Sequence, residues 1–201
     1  MSEGETETTE RLRDLCSSTE TTAGWSTAPW SAVIHGSRYV GATNGQAMLM
    51  IKADAAGLTE LPREQREWVE SVLAPDRPAS EWTSVDLSEL KSWAADYPVC
   101  PVCHGEKDHY CACGDAHECG ECSGDVALGW HAGTICGVAL NRRLLADYIA
   151  PITGRNVELA AAADHNTLFV RGDDCRVVVM GLRREKGVAN GPVFGAAAKS
   201  A

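Results

Sequence analysis

The sequence predicts an α+β fold in which a β-rich body is interrupted by a small cysteine-rich module. Two blocks of apolar runs with strand periodicity, one before residue 57 and one after residue 129, predict the body. Between them, six of the nine cysteines fall between Cys100 and Cys122, a density that packing does not explain. A chain of 201 residues buries roughly 70% of its unfolded surface, which suffices for one core with a small appendage.

A short helix is predicted near the start of the chain. Leu12, Leu15 and Cys16 recur at the spacing of one helical face within residues 9–18. The preceding residues 1–8 are rich in Glu and Thr, which predicts a disordered acidic tail.

The first β-block follows at residues 24–53, where two apolar runs of strand type are separated by a Gly-Ser pair. Within the second run, Asn44-Gly45 predicts a two-residue hairpin of type I′, because that turn needs a positive φ at both central positions. We therefore assign residues 9–57 to the first half of the β-rich domain.

The next segment, residues 58–98, is predicted to be a helical insertion. Residues 60–73 read as a surface helix. Its apolar stripe is formed by Trp68, Val69, Val72 and Leu73. A short strand then leads into a second helix, which is capped by Asp86 or by Ser88.

The second β-block, residues 129–184, completes the body. One strand at residues 133–140 leads into a helix capped by Asn141 and closed by Pro151. Three β-runs follow, separated by turns rich in Asp, Asn and Gly. Residues 185–201 are rich in Gly and Ala without periodicity, which predicts a flexible tail.

The cysteine-rich module spans residues 99–125. Its outer cysteines form two C-x2-C turns separated by fifteen residues, which is the spacing of a tetrahedral zinc site. The ligands that this spacing predicts are Cys100, Cys103, Cys119 and Cys122. Each turn aims two thiolates at one ion about 2.3 Å away. We expect one structural Zn²⁺, because four protein ligands leave no open position for catalysis.

The inner residues of the module leave two interpretations open. A second Zn²⁺ could be bound by Cys111, Cys113, His109 and His117, or these side chains take no part in metal binding. A disulfide cluster is the alternative to metal and needs an oxidising compartment. The polar N-terminus carries no secretion signal and no apolar run reaches a membrane span, so we expect a cytoplasmic protein without a membrane partner. The remaining cysteines are predicted to be ordinary buried thiols: Cys16, Cys136 and Cys175.

Short motifs in both β-blocks match one known family. The hairpin Ala42-Thr43-Asn44-Gly45 is one of them. The matching positions in the later strands are Val157, Glu158, Leu159, Asn166, Leu168, Val170, Gly172, Asp173 and Leu182. In these motifs the chain resembles one domain of the bacterial and bacteriophage DNA sliding clamps, the polymerase III beta subunit family. The resemblance implies a single clamp-like domain with antiparallel strands and two helices that line a DNA channel.

The resemblance implies an oligomer, and the chain departs from the family pattern at several positions. Clamp rings contain several such domains, so a ring would need several copies of this chain, that is, a homo-oligomer. Gln46-Ala47 stand where the family commonly has a basic residue, and residues 58–130 have no counterpart in the family pattern. Within that insertion, the cysteine repeats resemble the zinc region of J-domain chaperones, although one inner pair here is C-x-C.

Four arginines are the candidates for DNA contact in a clamp-like domain. Arg11 and Arg13 lie on the first helix, and Arg142 and Arg143 begin the later helix. A net charge of −10 argues against coating nucleic acid over the whole surface, but it allows a local basic face. The alternative is that these arginines pair with nearby acids in solvent. Two cations at a helix start are unfavourable to the macrodipole, which favours a functional use.

These observations lead to two hypotheses of different classes. The first is a non-catalytic, sliding-clamp-like accessory factor in DNA replication that carries a structural zinc module and binds DNA and replication proteins. The second is a zinc-ribbon-type protein-interaction adaptor that does not contact DNA. No phosphate loop, nucleophile elbow or spaced carboxylate pair is present, so we expect neither an enzyme nor a small-molecule substrate.

Overall fold

The computed structural model describes residues 10–16, 28–53, 57–74, 78, 80–97, 132–182 and 193–194, and it describes the backbone alone at residues 108–110 and 116–118. The described helices are α1 (residues 10–14), α2 (Arg63–Val72), α3 (Leu87–Ala95) and α4 (Arg142–Ile149). None of them is long and apolar enough to cross a membrane.

Twelve strands are found in the described residues. They are β1 (Trp30–Ile34), β2 (Ser37–Thr43), β3 (Ala47–Lys52), β4 (Thr59–Glu60), β5 (Thr83–Asp86), β6 (Asp108–Tyr110), β7 (Ala116–Glu118), β8 (Ala132–Ile135), β9 (Val138–Asn141), β10 (Asn156–Ala161), β11 (Thr167–Arg171) and β12 (Cys175–Met180). Eight of them form one sheet in the order β4-β1-β2-β3-β12-β11-β10-β5. Its pairs are antiparallel except for β1 and β4, which are parallel, so the sheet is mixed.

The sheet is covered on both faces. On one side, which we call the three-helix face, α1, α3, α4 and the β8–β9 hairpin pack against it. Buried helix residues on this face include Leu12, Leu90 and Leu145. On the other side, the α2 face, Val69 of α2 packs over Trp30 and neighbouring residues of the sheet. The α+β class is as predicted. The two helices that the resemblance assigns to a DNA channel, α1 and α4, share their face of the sheet with a third helix, α3.

The capping residues at the two later helices are those that the sequence predicts. Asp86 Oδ1 accepts a hydrogen bond from the Ser88 backbone N at 2.7 Å, so Asp86 rather than Ser88 caps α3. Asn141 Oδ1 accepts from the Leu144 backbone N at 3.2 Å and caps α4. Each cap satisfies an N–H group that has no partner inside its own helix.

The hairpin between β2 and β3 differs from the type I′ prediction. Asn44 and Ala47 face each other across the turn, so Gly45 and Gln46 are its central residues. Gly45 has a φ of +87°, whereas the described non-glycine residues with positive φ do not include Asn44 or Gln46. Glycine with positive φ at the first central position is the pattern of a type II′ turn. Asn44 instead uses its side chain, since its Oδ1 accepts from the backbone N of Ala47 at 2.9 Å.

The strand pattern corrects one further expectation and adds detail to another. The run at residues 133–140 is not one strand but the β8–β9 hairpin, because Cys136 and Gly137 both take positive φ, at +49° and +80°. The predicted helical insertion, residues 58–98, contains the short strand expected before its second helix, which is β5, and also β4, which was not predicted; these two strands form the edges of the main sheet. The inserted chain is therefore part of the body's sheet and not only an attachment to it.

Candidate functional site

The three-helix face carries most of the arginines that the resemblance assigns to DNA. Arg11, Arg13 and Arg143 are exposed on α1 and α4. The two helices are joined by Tyr148, whose hydroxyl donates to the Leu15 carbonyl at 2.6 Å. Burial raises the pKa of Tyr148 well above its ordinary value, so this hydroxyl keeps its proton. The predicted cations of both helices therefore belong to one rigid surface.

Arg142 departs from its predicted role. Only 2% of this residue is exposed. Its guanidinium donates to the backbone carbonyls of Trp93 and Asp96, at the C-terminal end of α3. Gly133 leaves the space for it, since a Cβ there would lie 2.6 Å from Arg142 Cδ. The charge that is unfavourable at the start of α4 is thus favourable at the negative end of α3, and Arg142 is not available to a phosphate.

Lys91 on α3 is a cation of this face that sequence reasoning missed. Its Nζ donates to the carbonyls of Ala150 at 3.0 Å and Ile152 at 2.7 Å, just beyond α4. Burial, with a smaller contribution from the nearby Arg11, lowers the pKa of Lys91. The proximity of Lys91 to Arg11 shows that α1, α3 and the end of α4 converge at this point.

Acidic side chains lie among the arginines of the three-helix face. Asp14 and Asp147 line a cleft of about 520 Å³ between α1 and α4, and Arg11 lies on the same cleft. Burial raises the pKa of Asp147, and the charge of Arg143 opposes that shift. The three-helix face is therefore of mixed charge, with separate arginines rather than a continuous basic patch.

The α2 face carries an apolar cleft of about 400 Å³ beside the β2–β3 hairpin. Trp68 of α2 and Met180 of β12 stand at its rim, 49% and 56% exposed. The other lining residues are Thr43, Gly45, Gln46, Ala47, Met48, Val72, Ala162, Ala163, Asp164, Thr167, Phe169 and Val178. Such a cleft, mainly apolar with a few polar groups, is typical of a binding site.

Local hydrogen bonds hold the hairpin side of the cleft in place. Thr43 Oγ1 donates to the Ala47 carbonyl at 2.7 Å and accepts from the Gly45 backbone N at 3.1 Å. The Met180 backbone N donates to the Gln46 carbonyl at 2.8 Å, which ties the end of β12 to the turn. The turn that borders the cleft is therefore held by hydrogen bonds from Thr43 of β2 and from Met180 of β12.

Sequence reasoning missed this cleft because it placed Trp68 in the buried stripe of α2. Within α2 only Val69 is fully buried, whereas Trp68 is 49% exposed and lines the cleft. The exposure of Met180 was missed as well, because three consecutive valines precede it in β12 and strand alternation therefore does not show which face it takes.

The cysteine module lies almost wholly outside the described residues. This holds for the predicted zinc ligands Cys100, Cys103, Cys111, Cys113, Cys119 and Cys122. The backbones of His109 and His117 are described, and the two residues are direct partners in the antiparallel β6–β7 pair. Within the described part of the chain, no group of three or more His, Cys, Asp or Glu side chains could hold a metal ion. The other three cysteines are free thiols, and burial raises the pKa of Cys16, Cys136 and Cys175.

No family model matches the chain, and no curated protein sequence matches it. Among solved structures, it is similar to the DNA polymerase III subunit beta from Borrelia burgdorferi in complex with a natural product, with a TM-score of 0.49 and 10% identity over 89% of this chain and 60% of that one. It is also similar to Caulobacter crescentus pol III beta, with a TM-score of 0.49 and 15% identity over 89% of this chain and 65% of that one. A third similar structure is the DNA polymerase III subunit beta from Pseudomonas aeruginosa, with a TM-score of 0.48 and 14% identity over 88% of this chain and 64% of that one. The chain thus spans less than two thirds of the length of each of these subunits.

Proposed function

We propose that this chain is a non-catalytic, sliding-clamp-like accessory factor in DNA replication, with one face for DNA and the other for a partner protein. The observation that supports the proposal is that the two faces of one sheet carry different kinds of surface. Arginines on α1 and α4 share the three-helix face, and the apolar cleft opens on the α2 face. A domain built in this way can hold a replication protein on the side away from the duplex.

The DNA side of the proposal depends on Arg11, Arg13 and Arg143. All three are exposed on helices that are fixed to each other through Tyr148. Since the whole chain has a net charge of −10, contact is expected through these few cations and not through the general surface. Weak, salt-sensitive contact of this kind suits a protein that moves along DNA, and several copies of the chain in a ring would add to it.

The zinc module is the second part of the proposal. The two C-x2-C turns and the register of His109 opposite His117 support a module held by Zn²⁺. A segment of about this size cannot fold on hydrophobic burial alone, so metal binding would supply its folding free energy. Native mass spectrometry of the full chain tests this part, because it reports zinc stoichiometry and subunit number together. One or two zinc ions per chain are expected, and a folded chain that purifies without metal contradicts it.

DNA contact is tested by fluorescence anisotropy of a labelled duplex at increasing salt. We expect affinity to fall steeply between 50 and 200 mM salt, and the slope against log salt to decrease by about one for each contacting arginine that is removed. The double variant Arg13→Glu/Arg143→Glu should therefore weaken binding at least about tenfold. Arg63→Glu is the matched control, since Arg63 is an exposed arginine on the α2 face.

A protein-interaction adaptor without DNA binding is the second candidate. The burial of Arg142 and the presence of Asp14 and Asp147 among the remaining cations favour it. It predicts no salt-dependent binding of the duplex and no difference between the variants above. The same titration therefore separates the two functions.

A further inference from the structure

A second cleft on the α2 face, which we call the arginine cleft, has a volume of about 270 Å³ and is lined by Arg171 of β11 and Arg176 of β12. It lies beyond the apolar cleft along the same sheet, and Val72 and Phe169 line both and separate them. We propose that the arginine cleft binds a small phosphate monoester with an apolar body. This site is distinct from both surfaces of the proposed function.

The register of the sheet places the two arginines side by side. Arg171 and Arg176 are direct partners in the antiparallel β11–β12 pair, so both side chains lie on the same face, and like charges in that position destabilise a sheet. Glu158 Oε2 accepts from Arg171 Nε at 2.7 Å, which compensates one of the two charges. Glu158 and Asp173 border the pair from an adjoining groove, and the lining of the arginine cleft itself includes no described Asp or Glu. An anion in the cleft would neutralise the remaining positive charge.

Both guanidinium groups are held in fixed positions. Cζ of Arg171 lies 4.1 Å from the ring centroid of Trp82. Arg176 Nη1 donates to the backbone carbonyls of Gly172 and Cys175, each at 2.6 Å. Among the described residues, no acceptor bonds to the terminal nitrogens of Arg171 or to Nε and Nη2 of Arg176. Oriented guanidinium groups with available N–H donors are well suited to phosphate.

Tyr39 adds a hydroxyl donor to the same cleft. Only 6% of Tyr39 is exposed, yet it lines the cleft. Its hydroxyl makes no hydrogen bond to the described residues and is not one of their fully enclosed polar atoms, so it opens into the cleft. A tyrosine buried to this degree normally has a partner for its hydroxyl, and a phosphate oxygen would supply one.

The size and the apolar part of the cleft define the rest of the ligand. Apart from the two arginines, Tyr39, His35 and Ser37, the lining residues are apolar. Ligand sites commonly measure roughly 300–1,000 Å³, so this cleft suits a small molecule rather than a peptide or a duplex. A phosphate monoester carries a charge of about −1.5 to −2 and three acceptor oxygens, which matches two guanidinium groups and a hydroxyl better than a single carboxylate does.

Isothermal titration calorimetry of the full chain tests the proposal with phenyl phosphate, inorganic phosphate and benzoate, the last of which keeps the ring but carries a carboxylate. Each probe is titrated into the wild type, Arg176→Gln and Tyr39→Phe. Two exposed arginines outside the cleft serve as matched controls, Arg63→Gln on α2 and Arg143→Gln on the three-helix face. The ¹H–¹⁵N signals of the arginine Nε groups in the wild type locate the bound ligand.

Phenyl phosphate should bind with a Kd about tenfold lower than that of inorganic phosphate or benzoate, and it should shift the Nε signals of Arg171 and Arg176. Its binding should weaken by about tenfold in Arg176→Gln and by about fivefold in Tyr39→Phe, which removes only the hydroxyl. The two control variants should bind it as the wild type does.

Three results would overturn the proposal. Millimolar phenyl phosphate that shifts neither Nε signal would show that the cleft does not bind it. An unchanged Kd in both Arg176→Gln and Tyr39→Phe, or an equal loss in Arg143→Gln, would place the bound phosphate elsewhere. Benzoate that binds as tightly as phenyl phosphate would contradict the choice of a phosphate.

Discussion

The guanidinium of Arg142 lies 4.7 Å from the ring centroid of Trp93, and Arg142 Nε donates to the Trp93 carbonyl at 3.0 Å. Arg142 begins α4 and Trp93 lies in the last turn of α3, so this contact ties the two helices together. Phe194 packs edge-on against the same indole ring, with centroids 5.6 Å apart. The arginine that the sequence assigned to DNA therefore holds α3 to α4 beside the point where the chain leaves for the cysteine module.

Replacement of Arg142 by Ala should destabilise the chain by about 2 kcal/mol, because it leaves the partly buried carbonyls at the end of α3 without their donor and removes the side chain stacked on Trp93. Urea unfolding followed by tryptophan fluorescence measures the loss. Arg143→Ala is the matched control, and as an exposed substitution it should change stability by less than about 0.5 kcal/mol. Equal stability of the two variants would show that the Arg142 contact is not structural.

Gly41 is expected to tolerate no side chain. It lies opposite Trp30 across β1 and β2, and a Cβ there would approach the indole ring to 2.4 Å. Gly41→Ala should cost about 1–3 kcal/mol of unfolding free energy through overpacking. In the double variant Trp30→Leu/Gly41→Ala the two effects should be clearly non-additive, because the smaller side chain removes the clash. Additive losses in this double-mutant cycle would contradict the packing described.

The hydrogen bond from Tyr148 to Leu15 should make stability depend on pH in the alkaline range. Burial raises the pKa of Tyr148 above its ordinary value of 10.0, so the folded state keeps the proton while the unfolded state loses it. Its contribution is therefore complete below pH 10 and declines as the pH rises above it. Tyr148→Phe should be less stable than the wild type by about 1 kcal/mol at pH 8, and the gap should narrow by pH 11. A gap that stays constant from pH 8 to pH 11 would argue against this assignment.

Removal of metal should affect the cysteine module without unfolding the body. The two core clusters are formed by residues such as Leu49, Leu145 and Trp30, none of which belongs to the module. A strong chelator should release the zinc proposed for the module and increase its proteolysis, while the near-ultraviolet circular dichroism of the body and its Tm change little. Cooperative unfolding of the whole chain on chelation would mean that the module supports the body.

Much of the fold follows from local patterns. Leu12 and Leu15 are buried as their helical spacing predicts, and Asp86 and Asn141 cap their helices as N-terminal Asp and Asn residues commonly do. The turns beside β11 were predictable because they contain Asp, Asn and Gly in sequence. These features depend on residues that are close together along the chain.

What the sequence does not reveal depends on distant residues. Arg142 is buried because Gly133 makes room and because carbonyls about fifty residues earlier accept its hydrogen bonds, and no periodicity shows such a contact. Trp68 is exposed beside the cleft although it belongs to the predicted apolar stripe of α2, and only the tertiary arrangement determines which side of that helix meets the sheet. The β8–β9 turn was missed because Cys136 reads as an apolar strand residue until its positive φ is known.

DNA and a partner segment are proposed to bind to opposite faces of one sheet, so their simultaneous binding can be measured. Anisotropy of a labelled duplex is measured at low salt in the absence and presence of a saturating acetylated hexapeptide with a Leu-Met-Phe core, and the full chain carries ¹³C at its methionine methyl groups. The Kd for DNA should change by less than about twofold, and the shift that the peptide causes in the methyl signal of Met180, which lines the cleft, should persist when DNA is bound. Displacement of the DNA by the peptide, or loss of the Met180 shift on adding DNA, would show that the two ligands compete for one face.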